Sequence, residues 1–142
     1  GVISAATDIS MAERLAEIFE CVGELARHHG PHAAGVEETL VNANPRSALK
    51  LGQARGAAIC AAAMCDLPVH EYSPNEIKLA VVGRGHAAKE QVQHMIKAIL
   101  ALSAAPTADA ADALAVALCH GHTRQGLAAV VGARRGRAGR YL

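Results

Sequence analysis

Large aromatic side chains are almost absent from this sequence, whose 142 residues include one Phe, two Tyr and no Trp. Hydrophobic residues nonetheless make up 51% of the chain, and this content excludes wholesale disorder. The length fits one domain. We therefore predict a folded domain whose core closes by the tight approach of small side chains, above all alanines.

The sequence also lacks the marks of membrane and secreted proteins. No apolar run approaches the roughly 20 residues that span a bilayer, and no signal-peptide pattern opens the chain. The four cysteines, at positions 21, 60, 65 and 119, are scattered, unlike the framework of a small disulfide-rich domain. These absences predict reduced thiols, a cytoplasmic location and no membrane contact.

An excess of charge of one sign is missing too, because 14 basic residues stand against 13 acidic ones. Four arginines lie in the last nine residues, so residues 1–132 hold ten basic and thirteen acidic side chains. A histone-like polycation is excluded, and any nucleic-acid contact must come from local patches. We predict a domain over residues 1–124, followed by a basic, flexible tail over 125–142.

Short apolar stretches, which are typical of strands, alternate along the chain with segments whose apolar residues recur at helical spacing. A capping box at Ser10 and Glu13 opens a helix that stops at Gly30, and Ser47 and Ser73 are predicted to begin two others. The predicted strands cover residues 1–4, 33–36 and 69–72. Further helices are predicted over residues 108–120 and after His86, the latter with Val92, Met95, Ile96 and Ile99 on one face. This alternation indicates an α/β layered domain.

Two glycines, Gly52 and Gly56, stand four residues apart within the second predicted helix. Glycine costs about 1 kcal/mol relative to alanine in a helix, so the pair indicates that another backbone approaches closely. The sheet and a second subunit are both possible partners.

Three carboxylates are candidates for chemistry. Asp109 and Asp112 lie three residues apart at the start of the last predicted helix, on one face. The residues around them are apolar, which predicts that this face is partly buried. The two acids either stabilise the helix dipole or hold a divalent cation. Glu37 ends a predicted buried strand. If the three converge, they suit Mg²⁺ or Mn²⁺, and such ions support phosphodiester hydrolysis.

Basic residues surround a glycine-interrupted stretch. Lys78, Arg84 and Lys89 flank Gly83 and Gly85, and residues 46–97 hold seven bases and four acids. The glycine backbone and these bases could bind phosphates, or the lysines are simply solvated. Histidines near His28 and His120 lack zinc-finger spacing and are predicted to lie at helix ends.

Three segments resemble the RuvC-type Holliday junction resolvases. They are NPRSALKLGQARG from Asn44 to Gly56, VVG at residues 81–83 with K-x-QVQHM from Lys89, and ADAADALA from Ala108 with His120 and His122. The resemblance implies a ribonuclease-H-like fold with a mixed sheet flanked by helices. It further implies an Mg²⁺-dependent endonuclease, with Mn²⁺ as a substitute, that nicks four-way junctions in pairs during DNA recombination and repair.

The resemblance also assigns roles to residues. It implies that Glu37, Asp109 and Asp112 match three of four metal-binding carboxylates and that Lys89 assists catalysis. We expect DNA contacts from Leu40, Asn44, Arg46, Lys78, Arg84 and Lys89, with Leu40 at a position where a junction-wedging Phe is common. The helix with Gly52 and Gly56 matches the dimer-forming region. The implied partners are four-way junction DNA, a second copy and the RuvA–RuvB branch-migration complex.

The chain departs from the family pattern at its beginning. The family's first two strands, with an Ile-Asp-Pro-Gly motif that supplies the fourth carboxylate, have no counterpart here, and we expect the chain as given to be impaired in cleavage. The alternative function is a catalytically dead junction-binding or partner-binding module of the same fold. A helical interaction protein with no nucleic-acid role is a third hypothesis.

Overall fold

The computed structural model describes residues 2–4, 6, 8–38 and 44–138, and side chains as far as residue 126. The elements in chain order are α1 (Met11–His29), β1 (Ala34–Glu37), α2 (Pro45–Met64), β2 (Val69–Tyr72), α3 (Pro74–Val82), α4 (Lys89–Ile99) and α5 (Ala108–Ala138). They fall into two compact units, Gly1–Ser73 and Pro74–Leu142. The predicted boundary at residue 124 stays a prediction.

Helix α1 begins and ends where its capping residues predict. The Ser10 N–H donates to Glu13 Oε2 at 2.8 Å, and the Glu13 N–H donates to Ser10 Oγ at 3.2 Å. These bonds complete a capping box, and they lower the pKa of the Glu13 carboxyl. At the other end Gly30 adopts a left-handed φ of 54° and its N–H donates to Ala26 O at 3.0 Å.

Strands β1 and β2 pair in parallel, with Ala34 opposite Val69 and Glu37 opposite Tyr72. A backbone hydrogen bond of 2.9 Å lies at each end of the strand pair. One runs from Ala34 N to Pro68 O and the other from Glu38 N to Tyr72 O. The prediction that β1 is buried was wrong. Its side chains alternate between half-buried and exposed, because among the described residues β1 has β2 as its single strand partner.

The predicted first strand is not present in the part of the chain that the structure describes. Residues 2–4 carry no strand assignment, and their side chains are exposed. Strand geometry needs a ladder partner for its N–H and C=O groups, and the described sheet consists of β1 and β2 alone. Gly1 lies outside the described residues.

Helix α2 begins earlier than predicted and leaves its glycines uncovered. Asn44, not Ser47, is the N-cap, and its Oδ1 accepts from Arg46 N at 3.1 Å and Ser47 N at 3.4 Å, ahead of a proline at the first helical position. A Cβ added at Gly52 or Gly56 would meet no described atom within 4 Å. The sheet is therefore not the partner that these glycines indicate.

The second unit packs three helices around small and branched side chains. Its buried residues are Ile77, Val81, Ala87, Val92, Ile96, Ala111, Ala115, Val116 and Cys119. This set contains no aromatic ring, whereas Tyr72 is buried in the first unit. Burial raises the pKa of the Cys119 thiol, with a smaller contribution from the Glu76 carboxylate. All four cysteines are free.

Truncation of Ile96 tests this core. Its side chain is 0% exposed, so we expect Ile96→Ala to lower the free energy of unfolding by about 2–5 kcal/mol. Ile99→Ala is the matched control on the same helix, because Ile99 is 41% exposed and surface substitutions change stability by about 0.5 kcal/mol or less. Urea denaturation measures both, and equal losses would contradict the described packing.

The last helix is longer than predicted. It runs past His120 to Ala138, through much of the segment expected to be a tail, because no proline follows position 106 to stop it. His120 and His122 consequently lie within the helix and not at its end, contrary to the prediction, whereas His28 and His29 do lie in the last turn of α1. No helix in the described residues is long and apolar enough to cross a membrane.

Candidate metal and nucleic-acid site

Asp109 and Asp112 lie in the first turns of α5, and both side chains are exposed. The prediction that their face is partly buried was wrong. Ala111 and Ala115 carry the packing at this end of the helix, because a small apolar side chain can be buried where an unpaired charge cannot. The two carboxylates are therefore open to solvent and to any ligand that approaches the start of α5.

The start of α5 is held by hydrogen bonds from two directions. Thr107 O accepts from Ala111 N at 2.8 Å, and Thr107 Oγ1 accepts from Ala110 N at 3.4 Å. From α4, the amide Nε2 of Gln93 donates to the carbonyl of Pro106. Gln93 thus connects the helix that begins at Lys89 to the segment that presents Asp109 and Asp112.

Replacement of Gln93 by glutamate tests this connection. Gln93→Glu keeps the size of the side chain but replaces its donor with a second acceptor that faces the Pro106 carbonyl. Gln93 and Pro106 are half-buried, and the loss of such a hydrogen bond costs about 0.5–1.5 kcal/mol, so we expect the Ala111 amide to exchange its hydrogen about two- to tenfold faster. Gln91→Glu is the control, because Gln91 Oε1 already accepts, from Ala88 N at 3.0 Å. Unchanged Ala111 exchange in Gln93→Glu would contradict this role.

Glu37 is the last residue of β1, and its side chain is exposed. The prediction that Glu37 ends a buried strand was wrong, since β1 is half-buried. Its backbone is fixed from α2, because Arg55 Nε donates to the Glu37 carbonyl at 3.0 Å. The Arg55 guanidinium also forms an ion pair with Glu71 of β2.

The predicted basic residues lie on the second unit at and around the α3–α4 connection. Lys89 is the first residue of α4 and is exposed, as is Arg84, whereas Lys78 is half-buried on α3. Gly83 has a left-handed φ of 74°, and its N–H donates to Leu79 O at 2.9 Å. That N–H closes α3 and already has a partner, whereas phosphate binding by the Gly85 backbone and by the basic side chains stays a prediction.

Three predicted DNA contacts lie at or before the start of α2. Arg46 is exposed in the first turn. The side chain of Asn44 caps the helix, which explains this residue without a ligand. Leu40 lies outside the described residues, so its role as a wedge stays a prediction.

Among the predicted site residues, Asp109 and Asp112 have the chemistry that suits a divalent cation. Within the described ranges, no three or more His, Cys, Asp or Glu side chains group closely enough to hold a metal ion. The histidines and cysteines of these ranges therefore give no support to a zinc site. His122 Nδ1 lies 3.1 Å from Ala80 O, which is a helix-to-helix hydrogen bond. Asp109 and Asp112 supply the hard oxygen donors that Mg²⁺ takes in ones or twos, together with waters and substrate phosphates.

Arg55, Glu71 and Gln93 were not among the predicted site residues. Arg55 and Gln93 both fall inside segments that resemble the RuvC type. Arg55 reaches the backbone carbonyl of Glu37, and Gln93 reaches that of Pro106, three residues before Asp109. Glu71 could have been recognised from the sequence, because it is a charged residue within a strand of four residues.

Comparisons with known proteins identify the family to which the chain is similar. The family described as crossover junction endodeoxyribonuclease RuvC matches residues 1–120. The chain is 65% identical over 122 residues to the protein of that name from Hyphomonas neptunium, covering 86% of this chain and 73% of that protein. It is 53% identical over 135 residues to the one from Aromatoleum aromaticum, covering 95% and 72%.

Solved structures give the same result for the fold. The chain resembles the Thermus thermophilus RuvC structure with a TM-score of 0.80 at 38% identity, over 89% of this chain and 77% of that one. It resembles Thermus thermophilus RuvC in complex with a Holliday junction substrate with a TM-score of 0.83 at 38% identity, over 89% and 78%. The predicted α/β, ribonuclease-H-like fold is thereby confirmed, and the chain belongs to the RuvC family of crossover junction endodeoxyribonucleases.

Proposed function

We propose that this protein resolves four-way DNA junctions by paired, metal-dependent hydrolysis of phosphodiester bonds. Membership of the RuvC family carries the proposal, and the family's nucleases depend on a metal. On the chain itself, Glu37, Asp109 and Asp112 are all exposed carboxylates, and their resemblance to the family's metal-binding positions supports the proposal. The catalytically dead module is not favoured, because it gives these carboxylates no role.

Glu37, Asp109 and Asp112 are proposed to hold the divalent cation, with Mg²⁺ as the physiological ion and Mn²⁺ as a substitute. Their hard oxygen atoms and their exposure suit an ion that retains waters and accepts phosphate oxygens as further ligands. When bound, such an ion lowers the pKa of water and stabilises the leaving oxygen of a phosphodiester. The carboxylates would hold this ion through their oxygen atoms.

Lys89 is proposed to stabilise the negative charge that develops at the scissile phosphate. Its position at the first residue of α4 leaves the ammonium group exposed, and a cation aimed at developing charge lowers a reaction barrier. Lys78, Arg84, Arg46 and Asn44 are proposed to contact the sugar–phosphate backbone, which positions DNA without reading its sequence. Leu40 is proposed as the apolar wedge at the junction.

The protein is also proposed to form a homodimer through one face of α2. Residues spaced at three or four positions along this helix form that face, here called the α2 face: Leu49, Gly52, Gly56, Cys60, Ala63 and Met64. Leu49 is 64% exposed and Met64 is 77% exposed. Both glycines have open space where a Cβ would stand. An apolar face with small central residues lets a second backbone approach, and a two-fold axis would place two copies of the face together.

Two further proposals rest on family membership. The RuvA–RuvB branch-migration complex is the proposed protein partner. The cytoplasm is the proposed location, and the four unpaired cysteines suit a reducing compartment.

Substrate selectivity tests the proposed function. We expect the chain, supplied with the two N-terminal strands and the Ile-Asp-Pro-Gly carboxylate of the family pattern, to cut a synthetic four-way junction in Mg²⁺ and to leave a linear duplex of the same sequence uncut. We expect no junction cleavage in EDTA. Denaturing gels would map the cuts and show whether they occur as a symmetric pair. Equal cleavage of both substrates, or junction binding without cleavage in Mg²⁺ or Mn²⁺, would contradict the proposal, and the second result would favour the dead module.

A further inference from the structure

Arg55 joins α2 to the ends of both strands. Its Nε donates to the carbonyl oxygen of Glu37, the last residue of β1, at 3.0 Å. Its Nη2 donates to Glu71 Oε2 on β2, in an ion pair whose side chains are 23% exposed for Arg55 and 51% exposed for Glu71. In the register, Glu71 stands opposite Val36 and Tyr72 opposite Glu37. The guanidinium therefore contacts two adjacent residue pairs of the two strands.

We propose that Arg55 is a positioning residue that fixes the end of β1 so that the Glu37 carboxylate is presented in one orientation to the divalent cation. This inference rests on the proposed function, because it takes Glu37 to be a metal ligand. It adds a residue that was not among the predicted site residues, and it gives Glu71 a role as the anchor of that residue.

The strand end needs such support because β1 is short. It has four residues, and at its far end the bond from Glu38 N to Tyr72 O, 2.9 Å long, closes the pairing with β2. Strand ends held by few bonds open readily. A donor on the Glu37 carbonyl, delivered from a different element, restrains the peptide immediately after the Glu37 side chain, and a ligand held within narrow limits binds its ion more tightly.

Arginine suits this task better than lysine for a geometric reason. The guanidinium is planar and directs several N–H groups at fixed angles, so a single side chain can serve the carbonyl and the carboxylate together. A lysine ammonium is one point donor on a flexible stem. The Glu71 carboxylate also engages the positive charge of Arg55, which reduces the repulsion that an unpaired guanidinium would exert on a cation bound near Glu37.

The test compares four variants of the intact protein: Arg55→Gln, Arg55→Lys, Glu71→Gln and Lys50→Gln. Lys50 is the matched control, because it is an exposed base on the same helix and its loss removes the same charge. Three quantities are measured: Mn²⁺ affinity without DNA, junction affinity without metal, and hydrogen exchange at the Glu38 amide. Cleavage at saturating junction gives kcat as a fourth.

We expect Arg55→Gln to weaken Mn²⁺ binding and to lower kcat by about 10- to 100-fold, as loss of a group that orients a metal ligand does. We expect faster exchange at Glu38 and metal-free junction affinity within about twofold of wild type, the range of a neutral surface change. Arg55→Lys should recover part of the Mn²⁺ affinity. Glu71→Gln, which keeps the bond to the Glu37 carbonyl, should have a smaller effect than Arg55→Gln, and Lys50→Gln should have none.

Other outcomes overturn the inference. Weaker junction binding with unchanged Mn²⁺ affinity and unchanged Glu38 exchange would make Arg55 a DNA contact. Should Arg55→Gln fail to fold, full Mn²⁺ affinity in both Arg55→Lys and Glu71→Gln would equally count against positioning. Glu37→Gln in the same series separates this inference from the proposed function. If Glu37→Gln retains Mn²⁺ affinity and cleavage, the carboxylate assignment itself fails, whereas if Glu37→Gln loses both and Arg55→Gln loses neither, only the positioning role fails.

Discussion

Glu37→Gln, Asp109→Asn and Asp112→Asn should each reduce junction cleavage by about 1,000-fold, which corresponds to about 4 kcal/mol of barrier. Each amide keeps the shape of the acid but loses the negative charge that holds a divalent cation. All three side chains are exposed, so the substitutions leave packing unchanged and the fold should retain its unfolding midpoint. Single-turnover cleavage in Mg²⁺ measures the effect.

The control for these variants lies next to one of them. Glu38→Gln removes the same charge from an exposed side chain one residue after Glu37, while the Glu38 N–H keeps its bond to Tyr72. We expect its cleavage rate to stay within about twofold of wild type. Metal-free junction binding by the three carboxylate variants should not weaken, because each loses a charge that repels phosphate. Cleavage at the wild-type rate in any of the three would remove that residue from the metal-binding set.

Gly52→Leu and Gly56→Leu should separate the proposed dimer into monomers. Overpacking a close contact costs about 1–3 kcal/mol, and a two-fold interface contains each substitution twice. A loss of about 4 kcal/mol would raise the dimer dissociation constant about 1,000-fold. Sedimentation of the variants over a range of concentrations measures the change, and symmetric paired cutting should be lost with the dimer.

The same substitutions should not harm the fold of a single chain. A Cβ at either position meets no described atom within 4 Å, and leucine is a better helix former than glycine by up to about 1 kcal/mol. Gly126→Leu is the control, because Gly126 lies on α5, is exposed and has the same open space. A dimer that survives both α2 substitutions, or that dissociates equally in Gly126→Leu, would show that the α2 face is not the interface.

The sequence was most informative where local chemistry decides the structure. The capping box of Ser10 and Glu13 and the left-handed Gly30 bound α1 as predicted, because these signals act within one turn of helix. The second strand, over residues 69–72, was also predicted correctly. Ser47 was wrong as a cap because Asn44-Pro45, three residues earlier, offers a stronger combination of side-chain acceptor and fixed φ.

Burial was less predictable, since it depends on which elements meet. The apolar residues around Asp109 and Asp112 suggested a partly buried face, yet alanines fill the contact and the acids stay in water. The apolar run before Glu37 suggested a covered strand, yet β1 is half-buried. In both cases the composition predicted the helix or strand correctly. Composition does not determine which neighbouring element covers that helix or strand from solvent.

The hydrogen bonds that hold the site were the hardest to predict. Arg55 reaches a carbonyl 18 positions away in sequence, and Gln93 reaches one 13 positions away. Both acceptors are backbone carbonyl oxygens, which every residue has. The residue types at positions 37 and 106 therefore do not indicate these hydrogen bonds. Resemblance to the RuvC segments marked Arg55 and Gln93 as part of a pattern, and the structure was needed to show what each one binds.

Mn²⁺ binding in the absence of DNA tests the central claim that these carboxylates form the metal-binding set. Calorimetric titration of the wild-type protein, Glu37→Gln and Asp109→Asn separates metal affinity from every later step of cleavage. We predict that each substitution weakens Mn²⁺ binding about tenfold or more, as loss of one charged oxygen ligand requires. Wild-type affinity in both variants would contradict the account.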